Sequence, residues 1–123
     1  MKLRIKGNSV RLRLSKDDIA KLTHTGYLEE ETPFGNNTFV YALHSKQGDD
    51  LSADFDGCKM MVFIPETFLK DWLQNSIVGF EGQVQVSSTD SLNILVEKDF
   101  RCLDNNREDE PANFENPKQS HSS

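Results

Sequence analysis

Residues 1–14 have the sequence MKLRIKGNSVRLRL, and the alternation within this stretch decides the fold class. Apolar and basic side chains alternate over residues 2–6 and again over residues 10–14. A period of two is typical of β-strands with one buried face and one solvent-exposed face. Gly7-Asn8 lies between the two runs, and both residue types tolerate the positive φ of a tight turn. The sequence therefore predicts a β-hairpin at the start of the chain.

Short helices and strands are predicted from there as far as residue 100. Ser15 is a suitable N-cap for a short helix with the sequence SKDDIAKL, which Gly26 would end. Pro65–Gln74 is predicted as a second helix, because an apolar stripe of helical period that includes Trp72 runs through it. Alternating apolar residues between turn residues predict further strands at residues 27–32, 38–45, 51–55, 58–64, 78–86 and 92–100.

These elements predict an α+β fold. We expect a strongly curled or closed antiparallel sheet of about seven or eight short strands in sequential hairpins, with two helices, because closure hides strand edges. Residues 58–64 are apolar on both faces except for Lys59, so this strand should lie near the middle of the sheet under a helix. The sequence shows no internal repeat. Residues 1–103 are expected to form one domain, and residues 104–123 a polar acidic tail that is disordered or loosely docked.

Composition excludes several classes of protein. The 123 residues include 20 acidic and 14 basic ones, for a net charge of −6, which weighs against a nucleic-acid binder. No apolar run reaches the length of a membrane span, and the basic start lacks the apolar segment of a signal peptide. We therefore expect a cytoplasmic protein without membrane contact, in which Cys58 and Cys102 stay reduced.

The first hairpin carries the sharpest candidate site. It holds five basic and no acidic residues, which should project from one face of the two strands: Lys2, Arg4, Lys6, Arg11 and Arg13. This basic face is suited to an anionic ligand such as a phosphate or a nucleotide. The competing interpretation is a solvated face balanced by acidic strands, with four candidate counter-charges: Glu29, Glu31, Glu97 and Asp99.

An enzymatic alternative uses the same basic residues. If the sheet closed with these faces inward, the cations would hold phosphate oxygens, and Glu29, Glu31 and Glu97 would hold a divalent metal. Tunnel-type triphosphatases have such an interior, but their opening Glu-x-Glu-x-Lys strand is missing here, and the chain is short for them.

Other chemistry has little support. The histidines and cysteines show no zinc-type spacing, and the acidic run at residues 104–110 lacks the loop glycine of an EF-hand. Gly-x-Ser-x-Gly, phosphate-loop and dinucleotide motifs are absent, so no cofactor and no catalytic residue is predicted. Cys102 follows two basic residues, but it is more typical of a small packing residue at a strand end. Trp72 is more typical of a core residue than of a partner-binding stripe.

Several segments together resemble a family of short uncharacterised bacterial proteins, a domain of unknown function, over nearly the whole length. They are MKLRIKGNSVRLRL, SKDDIAKL, Phe34-Gly35-Asn36, Val78-Gly79-Phe80-Glu81 and the VEKDFRCL segment at residues 96–103. The resemblance extends to the acidic stretch at residues 108–109 and to Asn116-Pro117. It implies a soluble bacterial protein and supplies no activity, cofactor or site. It also suggests a role for the tail at residues 108–117. From charge alone, the acidic residues 108–110 of this tail would be able to dock on the basic face.

The sequence therefore favours a small, non-enzymatic binding or interaction protein whose partner is an anionic small molecule or a protein. The enzyme acting on a phosphorylated compound is the first alternative. The second is an adaptor that binds protein through an exposed strand edge. Two structural features separate the three: cations facing a closed cavity would favour the enzyme, and an unpaired apolar edge strand would favour the adaptor.

Overall fold

A computed structural model of the chain describes residues 1–100. Within this range it contains eight β-strands, one α-helix and one 3₁₀ helix. In chain order they are β1 (Lys2–Lys6), β2 (Ser9–Leu14), α1 (Lys16–Thr25), β3 (Tyr27–Pro33), β4 (Thr38–Lys46), β5 (Ser52–Asp56), β6 (Lys59–Pro65), the 3₁₀ helix (Glu66–Leu69), β7 (Gly79–Gln85) and β8 (Ser91–Lys98). The predicted tail and its residues, including Cys102, lie outside the described range.

The strands form two separate four-stranded sheets. The first sheet has the order β1-β2-β8-β7 and the second has the order β3-β4-β6-β5. Each sheet consists of two antiparallel hairpins, and its two central strands, β2 and β8 or β4 and β6, pair in parallel. The α+β class is broadly right, but the single curled or closed antiparallel sheet is wrong. Alternation specifies each hairpin locally, whereas it carries no information on which hairpins become neighbours.

The core lies between the two sheets. The inner faces contribute side chains that are fully buried, among them Leu12 and Val96 from the first sheet and Leu43 and Val62 from the second. Each such side chain contributes about 1.5–3 kcal/mol relative to an exposed position. The two sheets bury their apolar faces by packing against each other, so that no single sheet has to close on itself. The apolar strand β6 takes a central position, as its sequence predicts, but the helix expected to cover it is wrong. Its buried face packs in the core between the sheets, and its other face is half-buried.

Helix α1 covers one end of the core. Ser15 caps it by accepting a hydrogen bond from the Asp18 backbone N–H, and the Asp18 carboxylate accepts one from the Ser15 N–H. Ile19 and Leu22 are buried beneath the helix, and Gly26 ends it in the left-handed conformation that glycine favours. This helix begins and ends where the sequence predicts.

The predicted second helix, Pro65–Gln74, is wrong in type. Only Glu66–Leu69 is helical, as a 3₁₀ helix, and turns follow. Lys70 is extended and Asp71 has a φ of 60°, and neither conformation continues a helix. Trp72 is nevertheless fully buried, as predicted for a core residue, and its indole N–H donates to the Ile77 carbonyl at 2.8 Å. The segment therefore buries the indole without forming the α-helix that its periodicity predicts.

The fold has an internal pseudo-twofold symmetry that the sequence does not reveal. Exchanging β1, β2, β3 and β4 for β5, β6, β7 and β8 converts each sheet into the other with the same pairings. Connecting hydrogen bonds repeat in the same way: Asn93 donates to the Asn8 carbonyl and Val40 donates to the Cys58 carbonyl, both at 2.9 Å. Few identical residues occupy equivalent positions, so comparison of the two halves as sequences misses the repeat.

The symmetry makes the two ends of the molecule different. In each sheet, both hairpin turns lead into the parallel central strands and so lie at the same end. This end, which we call the open end, carries one exposed apolar residue at each hairpin: Ile5, Phe34, Phe55 and Val86. The opposite end is covered by α1 and by the segment that contains Trp72.

Candidate functional site

The basic face lies on the outer surface of the first sheet. In β2 the buried residues Val10, Leu12 and Leu14 point to the core, so the alternating Arg11 and Arg13 point away from it. Strand register places Lys2 opposite Arg13, Arg4 opposite Arg11, and Lys6 opposite Ser9. All five basic residues therefore share one outward face.

Carboxylates from β8 and the residue that follows it occupy one end of this face. Glu97 Oε2 lies 2.8 Å from Arg13 Nε and 3.6 Å from Arg11 Nε. Asp99 Oδ2 lies 3.0 Å from Lys2 Nζ, and the Asp99 side chain is only 5% exposed. Two of the four predicted counter-charges thus balance the face at this end. Because the Lys2 and Arg side chains are partly exposed, each pair contributes up to about 1 kcal/mol.

The other end of the face has a different composition. Arg4 and Arg11 lie directly opposite each other, and like charges at such paired positions repel. The next row across the sheet consists of Lys6, Ser9, Asn93 and Gln83. Lys6 is basic, and the other three side chains are neutral hydrogen-bonding groups. Carboxylates do reach the arginine row, since Arg11 shares Glu97 with Arg13 and the exposed Glu81 lies in this row on β7, whereas the row of Lys6 contains no acidic residue.

The structure does not bring together the carboxylates that the enzymatic alternative requires. Glu29 and Glu31 lie on β3. Leu28 of the same strand is buried in the core, so the alternating Glu29 and Glu31 face outward from the second sheet. Glu97 belongs to the first sheet. Within residues 1–100 no group of three or more His, Cys, Asp or Glu residues is arranged to hold a metal ion.

Glu29 has its own partners on the second sheet. Its carboxylate accepts a hydrogen bond from Tyr27 Oη at 2.6 Å and lies 3.6 Å from Lys59 Nζ. The tyrosine hydrogen bond and the lysine charge lower the pKa of Glu29, and the Tyr27 hydrogen bond raises the pKa of Lys59. Tyr27, Glu29 and Lys59 thus form a hydrogen-bonded ion pair on the surface of the second sheet, and they do not contact the basic face.

The remaining candidates are dispersed. His44 packs its ring edge-on against Tyr27 and Phe63 on the outside of the second sheet, and its Nδ1 is a buried atom without a hydrogen-bond partner within the described chain. Cys58 is exposed at a turn and is not disulfide-bonded. Cys102 and the acidic run at residues 104–110 lie outside the described range. No helix among residues 1–100 has the length and apolar character needed to cross a membrane.

The open end is a surface that sequence reasoning missed. A cavity of about 330 Å³ lies there between the two sheets, lined almost entirely by apolar side chains that include Ile5, Val10, Phe39, Phe55, Met60 and Leu92. Ile5 is 57% exposed and Phe55 is 66% exposed, although alternation places both on the inner faces of their strands. Alternation alone predicts that these residues belong to the core. It cannot show that a cavity lies between the two sheets at their turns.

Comparison with known proteins gives a family but no function. No curated protein and no solved structure matches the chain. A family model does match, and it covers residues 1–118, which is nearly the whole length. The chain therefore belongs to the family of unknown function DUF7009.

Proposed function

We propose that this protein is a non-enzymatic binding protein that holds an anionic ligand on its basic face. The proposal centres on the part of the face around Arg4, Lys6 and Arg11. A phosphate or polyphosphate group would lie over the opposed arginines and accept hydrogen bonds from them. Guanidinium groups are suited to this task because their planar donors match phosphate oxygens in pairs.

The observation that carries the proposal is the excess of basic side chains on this face, where five cations face the three carboxylates of Glu81, Glu97 and Asp99. Glu97 lies beside Arg13 and Arg11, and Asp99 lies beside Lys2, at the end away from Lys6. Arg4 and Arg11 face each other across β1 and β2, so that guanidinium donors from two strands would meet one bound anion. Ser9 and Asn93 add neutral donors beside them.

The arrangement gives less support to the enzymatic alternative. That alternative needs cations and carboxylates converging on an enclosed space, and the basic face is directed outward. Glu29 and Glu31 project from the opposite sheet, where Glu29 is engaged by Tyr27 and Lys59. A surface that binds without a converging acid, base or metal set is suited to recognition.

Thermal unfolding with a defined set of anions tests the proposal. The full chain is heated at low salt with phosphate, pyrophosphate, triphosphate, a nucleotide or a short RNA, each with and without Mg²⁺. A ligand that binds only the folded state adds about 2.7 kcal/mol at 100 times its Kd, so the melting temperature should rise with at least one of these anions. The rise should shrink with increasing salt, since exposed charges are screened.

Two variants locate the effect. Arg11→Ala should abolish the anion-dependent rise, whereas Lys21→Ala, which removes an exposed charge from α1, should leave it unchanged. The comparison uses the rise for each variant rather than its basal melting temperature, so a change in basal stability does not confuse it. The proposal is wrong if no anion raises the melting temperature, or if both variants retain the rise.

A further inference from the structure

We propose that the open end binds a second copy of this chain, with the β1–β2 hairpin of each copy facing the β5–β6 hairpin of the other. This surface is separate from the anion site, and the proposal does not depend on that site. Four exposed apolar side chains surround the opening: Ile5, Phe34, Phe55 and Val86. Three of them, Ile5, Phe55 and Val86, also line the apolar cavity, and an exposed apolar cluster around a cavity is typical of an interaction surface.

The four residues are related by the pseudo-twofold symmetry of the fold. Ile5 and Phe55 occupy equivalent positions on the edge strands β1 and β5. Each lies two residues before the glycine of the following turn, which is Gly7 or Gly57. Phe34 and Val86 follow the equivalent strands β3 and β7. The opening is therefore similar in shape on both sides, which leaves complementarity between two copies to be decided by charge.

The two halves of the opening differ in charge, and this difference indicates which partner the opening fits. Lys6, at the end of β1, is equivalent to Asp56 at the end of β5, and the β5 strand also carries Asp54. One rim of the opening is therefore basic. The other is acidic, because Lys59, which pairs with Asp56 in register, directs its Nζ to Tyr27 and Glu29. Within residues 1–100 no ion pair engages Lys6, Asp54 or Asp56, although pairs are formed elsewhere on both sheets.

A partner for this surface must supply an apolar centre, an acidic group opposite Lys6 and a basic group opposite Asp56. A second copy supplies all three. Twofold docking of two open ends can place like hairpins or unlike hairpins in contact. The first orientation opposes Lys6 to Lys6, and the second opposes Lys6 to Asp56 twice in one dimer. Charge complementarity selects the second orientation.

Sedimentation equilibrium of the full chain tests the proposal directly. Over a range of roughly 1 μM to 1 mM, which spans moderate affinities, the mass should rise from that of one chain, 14.0 kDa, to twice that value. Phe55→Ser should weaken the dimer by at least about tenfold in Kd, since buried aromatic anchors dominate interfaces. Val78→Ser changes a residue of similar exposure at the covered end and should have no effect.

Charge reversal tests the orientation. Lys6→Asp alone leaves two acidic rims, and Asp56→Lys alone leaves two basic rims, so each variant should be more weakly dimeric than the unmodified chain. An equimolar mixture of the two variants presents acidic rims to basic rims and should form a heterodimer. A matched pair away from the opening, Lys21→Asp and Glu66→Lys, should show no such rescue on mixing.

Three results would overturn the proposal. The first is a monomer throughout the concentration range. The second is a dimer that Val78→Ser disrupts and Phe55→Ser does not, which would place the interface elsewhere. The third is a mixture of Lys6→Asp and Asp56→Lys that associates no better than either variant alone. Circular dichroism of each variant confirms folding, and the high exposure of Lys6, Phe55 and Asp56 makes unfolding an unexpected outcome.

Discussion

At the scale of single residues, the first amino group is held by two carboxylates. The Met1 ammonium lies 3.0 Å from Asp18 Oδ2 and 3.0 Å from Glu30 Oε2, and the Tyr41 hydroxyl donates to the Met1 carbonyl at 3.3 Å. Burial lowers the pKa of the ammonium, but hydrogen bonds to both carboxylates outweigh it and the pKa is raised. For Asp18, burial raises the pKa, while hydrogen bonds from Ser15 and the ammonium lower it overall.

Asp18→Asn should destabilise the protein in a pH-dependent way. Because folding lowers the pKa of Asp18, its carboxylate stabilises the fold above the unfolded-state pKa, near about 3.9, and this stability is lost as the pH falls through the folded-state pKa. We expect a loss of about 1 kcal/mol at pH 7, typical of a helix-cap substitution, and almost none near pH 2. Urea unfolding at several pH values measures both.

Asp17→Asn is the matched control, since Asp17 is the neighbouring exposed carboxylate in the first turn of α1. Its substitution should change stability by a few tenths of a kcal/mol at neutral pH, through the helix dipole. A loss for Asp18→Asn that is equal at pH 7 and pH 2 would contradict the ionic role of this carboxylate and leave only the geometry of the cap.

Local chemistry explains which residue-level predictions succeed. Ser15 and Gly26 act through neighbours in the chain, so the cap and the end of α1 follow from sequence. The pairing of Arg13 with Glu97 joins residues far apart in the chain, and sequence could name Glu97 only as one of four candidates. Glu29 and Glu31 were equally plausible until the sheet order separated them from the basic face.

At the scale of elements, β7 depends on a close approach to β8. A Cβ at Gly79 would lie 2.6 Å from the Val96 carbonyl oxygen and 2.7 Å from the Glu97 Cβ, both closer than packing allows. Gly79 is paired with Glu97 at the start of β7, and its φ lies outside the left-handed range. The requirement for glycine here is therefore one of space rather than of backbone conformation.

Gly79→Ala should destabilise the fold by about 1–3 kcal/mol, as overpacking does elsewhere. Gly82→Ala on the same strand should cost less, because its Cβ would lie 3.2 Å from the Leu51 side chain rather than against backbone. Urea unfolding of the two variants at pH 7 measures the difference. Equal stabilities for Gly79→Ala and Gly82→Ala would mean that β7 shifts to accommodate the added methyl group.

Element types follow from sequence more readily than their neighbours do. Alternation placed each strand, because the period of two belongs to the strand itself. The parallel pairings of β2 with β8 and of β4 with β6 depend on how whole hairpins pack, and alternation is silent on that. The segment around Trp72 has helical periodicity but does not form an α-helix. It buries the indole, whose N–H donates a hydrogen bond to the Ile77 carbonyl.

At the scale of the whole molecule, the two sheets are unlike in sequence although they are alike in topology. The second sheet is built from one continuous stretch, residues 27–65, whereas the first joins residues 2–14 to residues 79–98. The first sheet therefore forms only when residues 2–14 and residues 79–98 have come together. Its inner face is one side of the shared core, so neither sheet can bury its apolar surface without the other.

This interdependence predicts a single cooperative unfolding transition for residues 1–100. Trp72 is the only tryptophan and is fully buried, so its fluorescence and the far-ultraviolet circular dichroism of the strands should change at the same urea concentration. Ile94→Val in the first sheet and Ile64→Val in the second remove the same methylene from fully buried positions, and each should cost about 0.5–1.5 kcal/mol. Both variants should move both signals together. If Ile64→Val shifted one signal and left the other in place, the sheets would unfold separately, and the core between them would contribute less than its burial implies.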